Sequence, residues 1–381
     1  MSAYTGQLAC LRCGDEHPEA DAFSGCPRCA ADGVPVNLAP VYDIPPGPLP
    51  VDPGQPGLFR YRELLPLADS DPVVSLGEGD SPLLPLHRIG GQLGLDGLWV
   101  KDESRSPTWS YKDRLAAVAV SKARASGADT AVVSTTGNHG AAVAAYCAAA
   151  GIRCVALTLT SVPATMRTLM QVYGAQVVAY REPVHRWTVM AAAVAERGWV
   201  PMSGFVSPPI GSNPFGIDGY KTIAYEIVGQ LGTAPDVVVV PTAYADGLSG
   251  ITRGFADLHR LGIIAHSPRM VAAEPFGPYG AALADGGDVA GPVPVRPSVA
   301  FSIATPVGTY QGLDAVRSTG GTAVTTGDDD AIMAMQTRLA RIEGLYLEAS
   351  SVVPLLAAER LRGTGAVRDG ETVVVIGTST G

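Results

Sequence analysis

Lysine and cysteine are the residues whose setting in this chain is best suited to chemistry. Lys112 stands in SPTWSYKDRLAAVAVSKA, after a turn-rich Ser-Pro-Thr and at the start of an Ala-rich helical pattern whose first turn contains Asp113. The positive end of a helix macrodipole disfavours a cation and favours Asp or Glu. An ammonium destabilised there loses its proton more readily and becomes an amine nucleophile able to form a Schiff base with an aldehyde. Two other lysines compete for that role. Lys101 falls within an expected strand and Lys221 within an expected helix that follows no loop of catalytic type, so both are read as structural or peripheral.

Four of the six cysteines lie within twenty residues: Cys10 and Cys13 in CLRC, then a twelve-residue gap, then Cys26 and Cys29 in CPRC. Paired CxxC knuckles let four thiolates converge tetrahedrally on one zinc, with no position left open for water, which predicts a structural metal. Two disulfides would need an oxidising compartment, for which no targeting sequence is present. Cys147 and Cys154, in Ala- and Val-rich surroundings, read as small buried hydrophobes.

These residues need elements to place them. From about residue 98 onward, short β-branched runs alternate with helical patterns, as in βα units around parallel sheets, so the fold class is α/β. Expected strands are AVVS at 131, RCVALTL at 153, AQVVAY at 175, DVVVV at 236, RMVAAE at 269, TAVTT at 322 and TVVVI at 372. Expected helices span 141–150, with Gly151 as C-cap, and 220–231, 250–261, 330–342 and 350–361. Residues 40–57 carry seven prolines and three glycines, too much punctuation for a helix or a central strand, and mark a boundary.

Ligands of such sheets sit beyond the carboxyl ends of the strands, so chemistry is sought in the loops that follow them. STTGNHGAAVAAY presents hydroxyls and backbone N–H groups at a helix start, an anion seat. PTAYADGLSGITRGF repeats that logic after DVVVV, with Gly247 and Gly250 flanking the helix entry, and suits a phosphate. TVVVIGTSTG places Thr378, Ser379 and Thr380 at a strand exit with no carboxylate or arginine, offering a neutral partner.

Charge and composition exclude other classes. With 381 residues, 46% of them apolar and 17% charged, the chain can bury a large core. Lys and Arg number 27 against 36 Asp and Glu, a net charge of -9, which offers no electrostatic footprint for a phosphate backbone or anionic lipid. No apolar stretch reaches the roughly 20 residues of a membrane span, and the N-terminus lacks the order of a signal peptide. A cytoplasmic location is expected.

In this order the segments resemble the threonine-synthase branch of the pyridoxal-phosphate (PLP) fold type II enzymes, a group that includes tryptophan synthase β and the serine/threonine dehydratases. The resemblance covers almost the whole chain. It rests on the cysteine knuckle followed by a linker, GEGDSPLLPL at 77–86, WVKDESRSPTWSYKDR at 99–114, STTGNHGAAVAAYCAAAGI at 134–152, GYKTIAYEI at 219–227, VVPTAYADGLSGITRGF at 239–255 and EGLYLEASS at 343–351. It implies a zinc ribbon at 1–38 and a proline-rich arm at 39–75. A large PLP-binding domain would comprise 76–115 and 225–381, and a smaller mobile substrate domain 116–224. It further implies that Lys112 carries the Schiff base and Asn138 meets the cofactor's 3-hydroxyl. Ala243, Tyr244, Ala245, Asp246 and Gly247 would hold its phosphate, and Thr378 or Ser379 would face the pyridine nitrogen. Ser110, Thr135, Thr136, Gly137, Asn138 and His139 would meet the substrate, an amino acid, with no nucleic acid or membrane partner and a homodimer left open.

The implied activity is threonine synthase, which converts O-phosphohomoserine and water to threonine and phosphate. The alternative is a related β-elimination or β-replacement enzyme acting on a serine-like or diamino-acid substrate. A degenerate PLP or amino-acid sensor is disfavoured because Lys112, Asn138 and the C-terminal hydroxyls are all present. Several positions depart from the threonine-synthase pattern. Trp109 stands where a small residue is usual and would reduce space near the Schiff base. The glycine-rich phosphate loop has become Thr242-Ala243-Tyr244-Ala245-Asp246, whose Asp246 would oppose an anion unless it caps the loop backbone. His139 is read as an acid or phosphate contact, or as a loop residue without a catalytic role.

Overall fold

The computed structural model describes residues 2–381, which form two compact units. The first comprises residues 2–80 and 106–222, the second 81–105 and 223–381. The units change over at 80/81, 105/106 and 222/223. Residues 106–115 join the first unit because the helix they lead into, Lys112–Ala125, packs along the helix Asn138–Ala150.

The first unit holds two sheets. A small antiparallel one has the order Glu16–Pro18, Tyr4–Cys10, Leu38–Tyr42. Pro40, which cannot donate to a ladder, sits on an outer strand of it, as the proline-rich composition requires. The second sheet is parallel, with the order Gln176–Tyr180, Arg153–Leu159, Thr130–Ser134, Val200–Pro201. Val132, Val155 and Leu157 pack with Met190 of the helix Pro183–Arg197. The helix Lys112–Ala125 is buried almost all round from Asp113 to Ser121, which its run of alanines permits. Gly219 lets the following segment lie on its first turn, since a Cβ there would come 2.1 Å from the Arg114 carbonyl oxygen.

The second unit is built on six strands in the order Thr322–Thr325, Arg269–Glu274, Val237–Pro241, Val373–Gly377, Leu98–Asp102, Leu83–Pro85. All pairings are parallel except the last. Val237–Pro241 and Val373–Gly377 are buried along their whole length, as expected for central parallel strands covered on both faces. Their side chains join Val352, Val353 and Leu355 of the helix Ala349–Gly363 in one apolar cluster. Because these two strands are parallel neighbours in register, Val239 beside Val375, the loop after Pro241 and the hydroxyls after Gly377 leave the same edge of the sheet.

All seven expected strands form. The helix expected at 250–261 begins earlier, at Asp246, and runs to Arg260. Ala245 takes a left-handed conformation (φ +63°) that ends the loop, so Asp246 and Gly247 already lie in the first helical turn. No helix of the described residues is long and apolar enough to cross a membrane.

Candidate active site and metal centre

In the first unit, Lys112 is the first residue of its helix. Ser110 Oγ accepts its backbone N–H at 3.3 Å, while Asp113 holds Thr108 through N–H···Oδ2 at 2.7 Å and Oγ1–H···Oδ1 at 2.6 Å. These bonds fix the turn that presents the lysine. Its Nζ lies 5.0 Å from the centre of the Tyr111 ring and 5.8 Å from that of Tyr220. The two rings pack on each other with centres 4.7 Å apart, so Lys112 is a primary amine beside an aromatic pair.

The loop after Thr130–Ser134 lies at the start of the neighbouring helix. Thr135 Oγ1 accepts N–H bonds from Gly137 at 3.1 Å and Gly140 at 2.9 Å, so this hydroxyl shapes the loop. Asn138 and His139 form the first turn of Asn138–Ala150 and, with Thr136, are partly buried. Two buried polar atoms of the segment, Ser134 Oγ and His139 Nε2, have no partner, which leaves hydrogen-bonding capacity for a ligand. Burial and then the charge of Lys112 push His139 down to about 3, against a hydrogen bond with the Met202 backbone. The imidazole is therefore neutral through the physiological range, and as an acid it is unavailable there.

In the second unit, the segment 243–247 is supported from beneath by side chains of the helices Pro278–Asp285 and Tyr310–Ser318 and the residue before the latter. Tyr279 Oη donates to the Ala243 carbonyl at 2.8 Å; Thr309 Oγ1 and Gln311 Nε2 donate to that of Tyr244 at 2.9 and 2.7 Å. At the neighbouring strand exit, Thr378 Oγ1 and Ser351 Oγ are 2.7 Å apart, and Ser351 Oγ accepts the Ser379 N–H at 3.0 Å.

The four clustered cysteines come together in the first unit, with all four sulfurs within 4.8 Å of one another. Cys10 and Cys29 Sγ are 3.6 Å apart, Cys13 and Cys26 Sγ 3.7 Å. A tetrahedral ion with metal–sulfur bonds of about 2.3 Å needs sulfurs about 3.8 Å apart, so the donors fit one. Arg12 turns its N–H groups toward Cys10 Sγ at 3.4 Å and Cys29 Sγ at 3.9 Å, as suits thiolates. Cys147 and Cys154 are buried and lie outside the cluster.

Residues 74–379 match the family of pyridoxal-phosphate dependent enzymes. The chain belongs to that family. It is 31% identical to a threonine synthase of Methanosarcina acetivorans, over 97% of this chain and 90% of that one. It is 32% identical to a threonine synthase of Mycobacterium bovis, over 86% and 88%. Among solved structures, the processed threonine deaminase isoform 2 of Solanum lycopersicum matches with a TM-score of 0.69 over 90% of each chain at 19% identity, a likeness of fold. An O-ureido-L-serine synthase matches with a TM-score of 0.63 at 25% identity, over 79% of this chain and 89% of that one. The fold type II architecture expected from sequence is thereby established.

Each unit by itself carries groups that suit PLP: the first an amine at a helix start, the second a loop whose carbonyls are turned to neighbouring side chains and, at the adjacent strand exit, uncharged hydroxyls. The rival lysines are engaged. Lys101 is fully buried and paired with Glu226 Oε2 at 2.7 Å, and Lys221 lies 3.9 Å from Asp218 Oδ2 and 3.7 Å from the centre of the Tyr42 ring. Sequence reasoning missed Arg186, whose Nη1 donates to the Thr135 carbonyl at 3.0 Å. Its signal was available: Arg186, Met190 and Ala193 fall at helical spacing on one buried face, so an arginine stands in an apolar stripe. Tyr279, Thr309 and Gln311 left no such trace.

Proposed function

We propose that the chain catalyses PLP-dependent elimination and replacement on an amino acid, and that its reaction is that of threonine synthase. The geometric observation that carries the chemistry is Lys112, a helix-start amine facing aromatic rings beside a loop with unsatisfied polar atoms. The choice of substrate is supported by the likeness to threonine synthases over most of the chain. When bound, PLP supplies an aldehyde for the Schiff base and an electron sink for the charge left at Cα. Lys112 Nζ takes the Cα proton. Asn138 would meet the 3-hydroxyl, residues 243–247 would hold the phosphate, and Thr378 or Ser379 would face the pyridine nitrogen, a hydroxyl being unable to transfer a full charge to it. Ser110 and residues 135–139 receive the substrate carboxylate. The four cysteines hold one zinc ion whose coordination is closed, so its role is structural.

A second reading, β-elimination or β-replacement on a serine-like or diamino-acid substrate, is favoured by the state of the cations. Arg114 is fully buried and donates to Thr222 Oγ1 at 2.8 Å, Lys221 is buried beside Asp218, and His139 is neutral. None of these supplies a ready charge for a second phosphate; Arg186 brings a guanidinium to the 135–139 loop, where its Nη1 donates to the Thr135 carbonyl at 3.0 Å. The test is to incubate the purified enzyme with O-phosphohomoserine and, separately, with O-phosphoserine and 2,3-diaminopropionate. Equal amounts of threonine and phosphate from the first, with competition by free phosphate, are expected. Release of keto acid and ammonia from the others, with no turnover of O-phosphohomoserine, would replace threonine synthase by the second reading.

A further inference from the structure

We propose that Tyr279, Thr309 and Gln311 are positioning residues for the cofactor phosphate, holding two carbonyls of the 243–247 segment away so that its peptide N–H groups face the anion. The inference rests on the reading of that segment as the phosphate-binding loop.

In a trans peptide the C=O and the following N–H point in opposite directions. The Ala243 carbonyl is fixed on Tyr279 Oη at 2.8 Å, which directs the Tyr244 N–H the other way. The Tyr244 carbonyl is fixed on Thr309 Oγ1 at 2.9 Å and Gln311 Nε2 at 2.7 Å, which does the same for the Ala245 N–H. Successive N–H groups on one side of a turn form an anion-binding concavity, and the helix that starts at Asp246 adds the positive end of its dipole. Either peptide turned over would put a carbonyl oxygen against the phosphate. The three side chains oppose that inversion.

The same amide accounts for Asp246. Gln311 Nε2 also donates to Asp246 Oδ1 at 2.9 Å, so one neutral group holds both the Tyr244 carbonyl and the carboxylate that departs from the expected glycine-rich loop. An acidic side chain in a first helical turn is favoured by the dipole. Asp246 thus ties the loop to Gln311 as a cap does.

Packing makes the support rigid. Tyr279 is 0% exposed, and Gln311 and Thr309 are buried. Two glycines make room for the phenol: a Cβ on Gly308 would come 2.7 Å from Tyr279 Cε1, and one on Gly312 would come 2.4 Å from Cε1 and 2.7 Å from Ala245 Cβ. Thr309 N–H also donates to Tyr279 Oη at 3.1 Å, which leaves the phenolic hydrogen for Ala243.

Full-length protein freed of cofactor would be titrated with PLP and with pyridoxal, which lacks the phosphate, for wild type and for Tyr279→Phe, Thr309→Val and Gln311→Ala. Thermal melting of each cofactor-free chain would run alongside. Wild type should prefer PLP, and each variant should lose about tenfold of that preference while its affinity for pyridoxal stays within about twofold. The 31P resonance of bound PLP should shift in the variants. If folded variants keep the wild-type ratio, or lose PLP and pyridoxal equally, the positioning role is wrong. If wild type shows no preference for PLP, the assignment of the loop itself fails. Should Tyr279→Phe not fold, the other two variants decide.

Discussion

Replacing Lys101 with Met tests which lysine does chemistry and which holds the fold. The Lys101 ammonium is 0% exposed and reaches three acceptors: Glu226 Oε2 at 2.7 Å, the Ser81 carbonyl at 2.6 Å and Gln230 Oε1 at 2.9 Å. Met fills similar volume, so the cavity cost is small and the loss is electrostatic. Glu226, only 3% exposed at its side chain, would lose its cation and keep the Ser81 N–H at 3.3 Å and the Ser81 hydroxyl at 3.5 Å. Removing one member of a buried pair costs about 3–5 kcal/mol, whereas replacing both by apolar groups is often neutral. At about 2.1 cal/mol/K of unfolding entropy per residue, a chain of 381 residues moves its Tm by about 1.2 °C per kcal/mol, so Lys101→Met should melt about 4–6 °C lower by calorimetry. Lys101→Met/Glu226→Leu should recover most of that loss. Below its melting point the single variant should still bind PLP, and borohydride followed by peptide mapping should place the adduct on Lys112. Lys112→Ala should bind no cofactor covalently and should melt close to wild type, having lost only aromatic contacts worth about 0.5–1 kcal/mol each. A double variant less stable than Lys101→Met alone would refute the buried-pair argument. An adduct on Lys101 or Lys221 would refute the assignment of Lys112.

The metal cluster predicts one zinc per chain by elemental analysis, lost in Cys13→Ser together with hydrogen-exchange protection in residues 4–42, while PLP binding persists; cofactor lost in proportion to zinc would show that the two sites are not separate. His139 supplies a pH test in the cofactor-free chain. Its folded value, about 3, lies below the unfolded value near 6.5, so between these the unfolded state binds more protons and stability rises with pH. His139→Asn should flatten that part of the urea-unfolding profile between pH 4 and 6.5, and an unchanged slope would contradict a neutral imidazole.

The elements most legible in the sequence are those whose signal is local. Four cysteines within twenty residues and the all-valine run at 237–240 state their environments directly, the first by ligand spacing and the second because a central parallel strand is apolar on both faces. The support beneath the 243–247 segment was not legible. Tyr279 bonds a residue 36 positions away, and Thr309 and Gln311 bond residues 65 and 67 away, so only the folded sheet brings them together. Arg186 lies between these cases, visible as an arginine in an apolar stripe but silent about its partner.

Trp109 and Ala245 show why a departure in residue type need not be a departure in structure. Both were singled out as unlike the expected small or glycine-rich pattern, and both adopt the left-handed backbone that glycine would adopt, with φ +62° and +63°. For other residues that conformation costs about 1–2 kcal/mol, so neighbouring bonds must impose it. Around Trp109 they are its own N–H to the Ser106 carbonyl at 2.8 Å and the two bonds that tie Thr108 to Asp113. Around Ala245 they are the bonds from Thr309 and Gln311 and the close approach that Gly312 allows. The backbone at each position is therefore set by its surroundings, which frees the side chain to be chosen for what it meets. Trp109 is 51% exposed in the turn before Lys112, so its indole is carried there at the cost of backbone strain without burial to offset it.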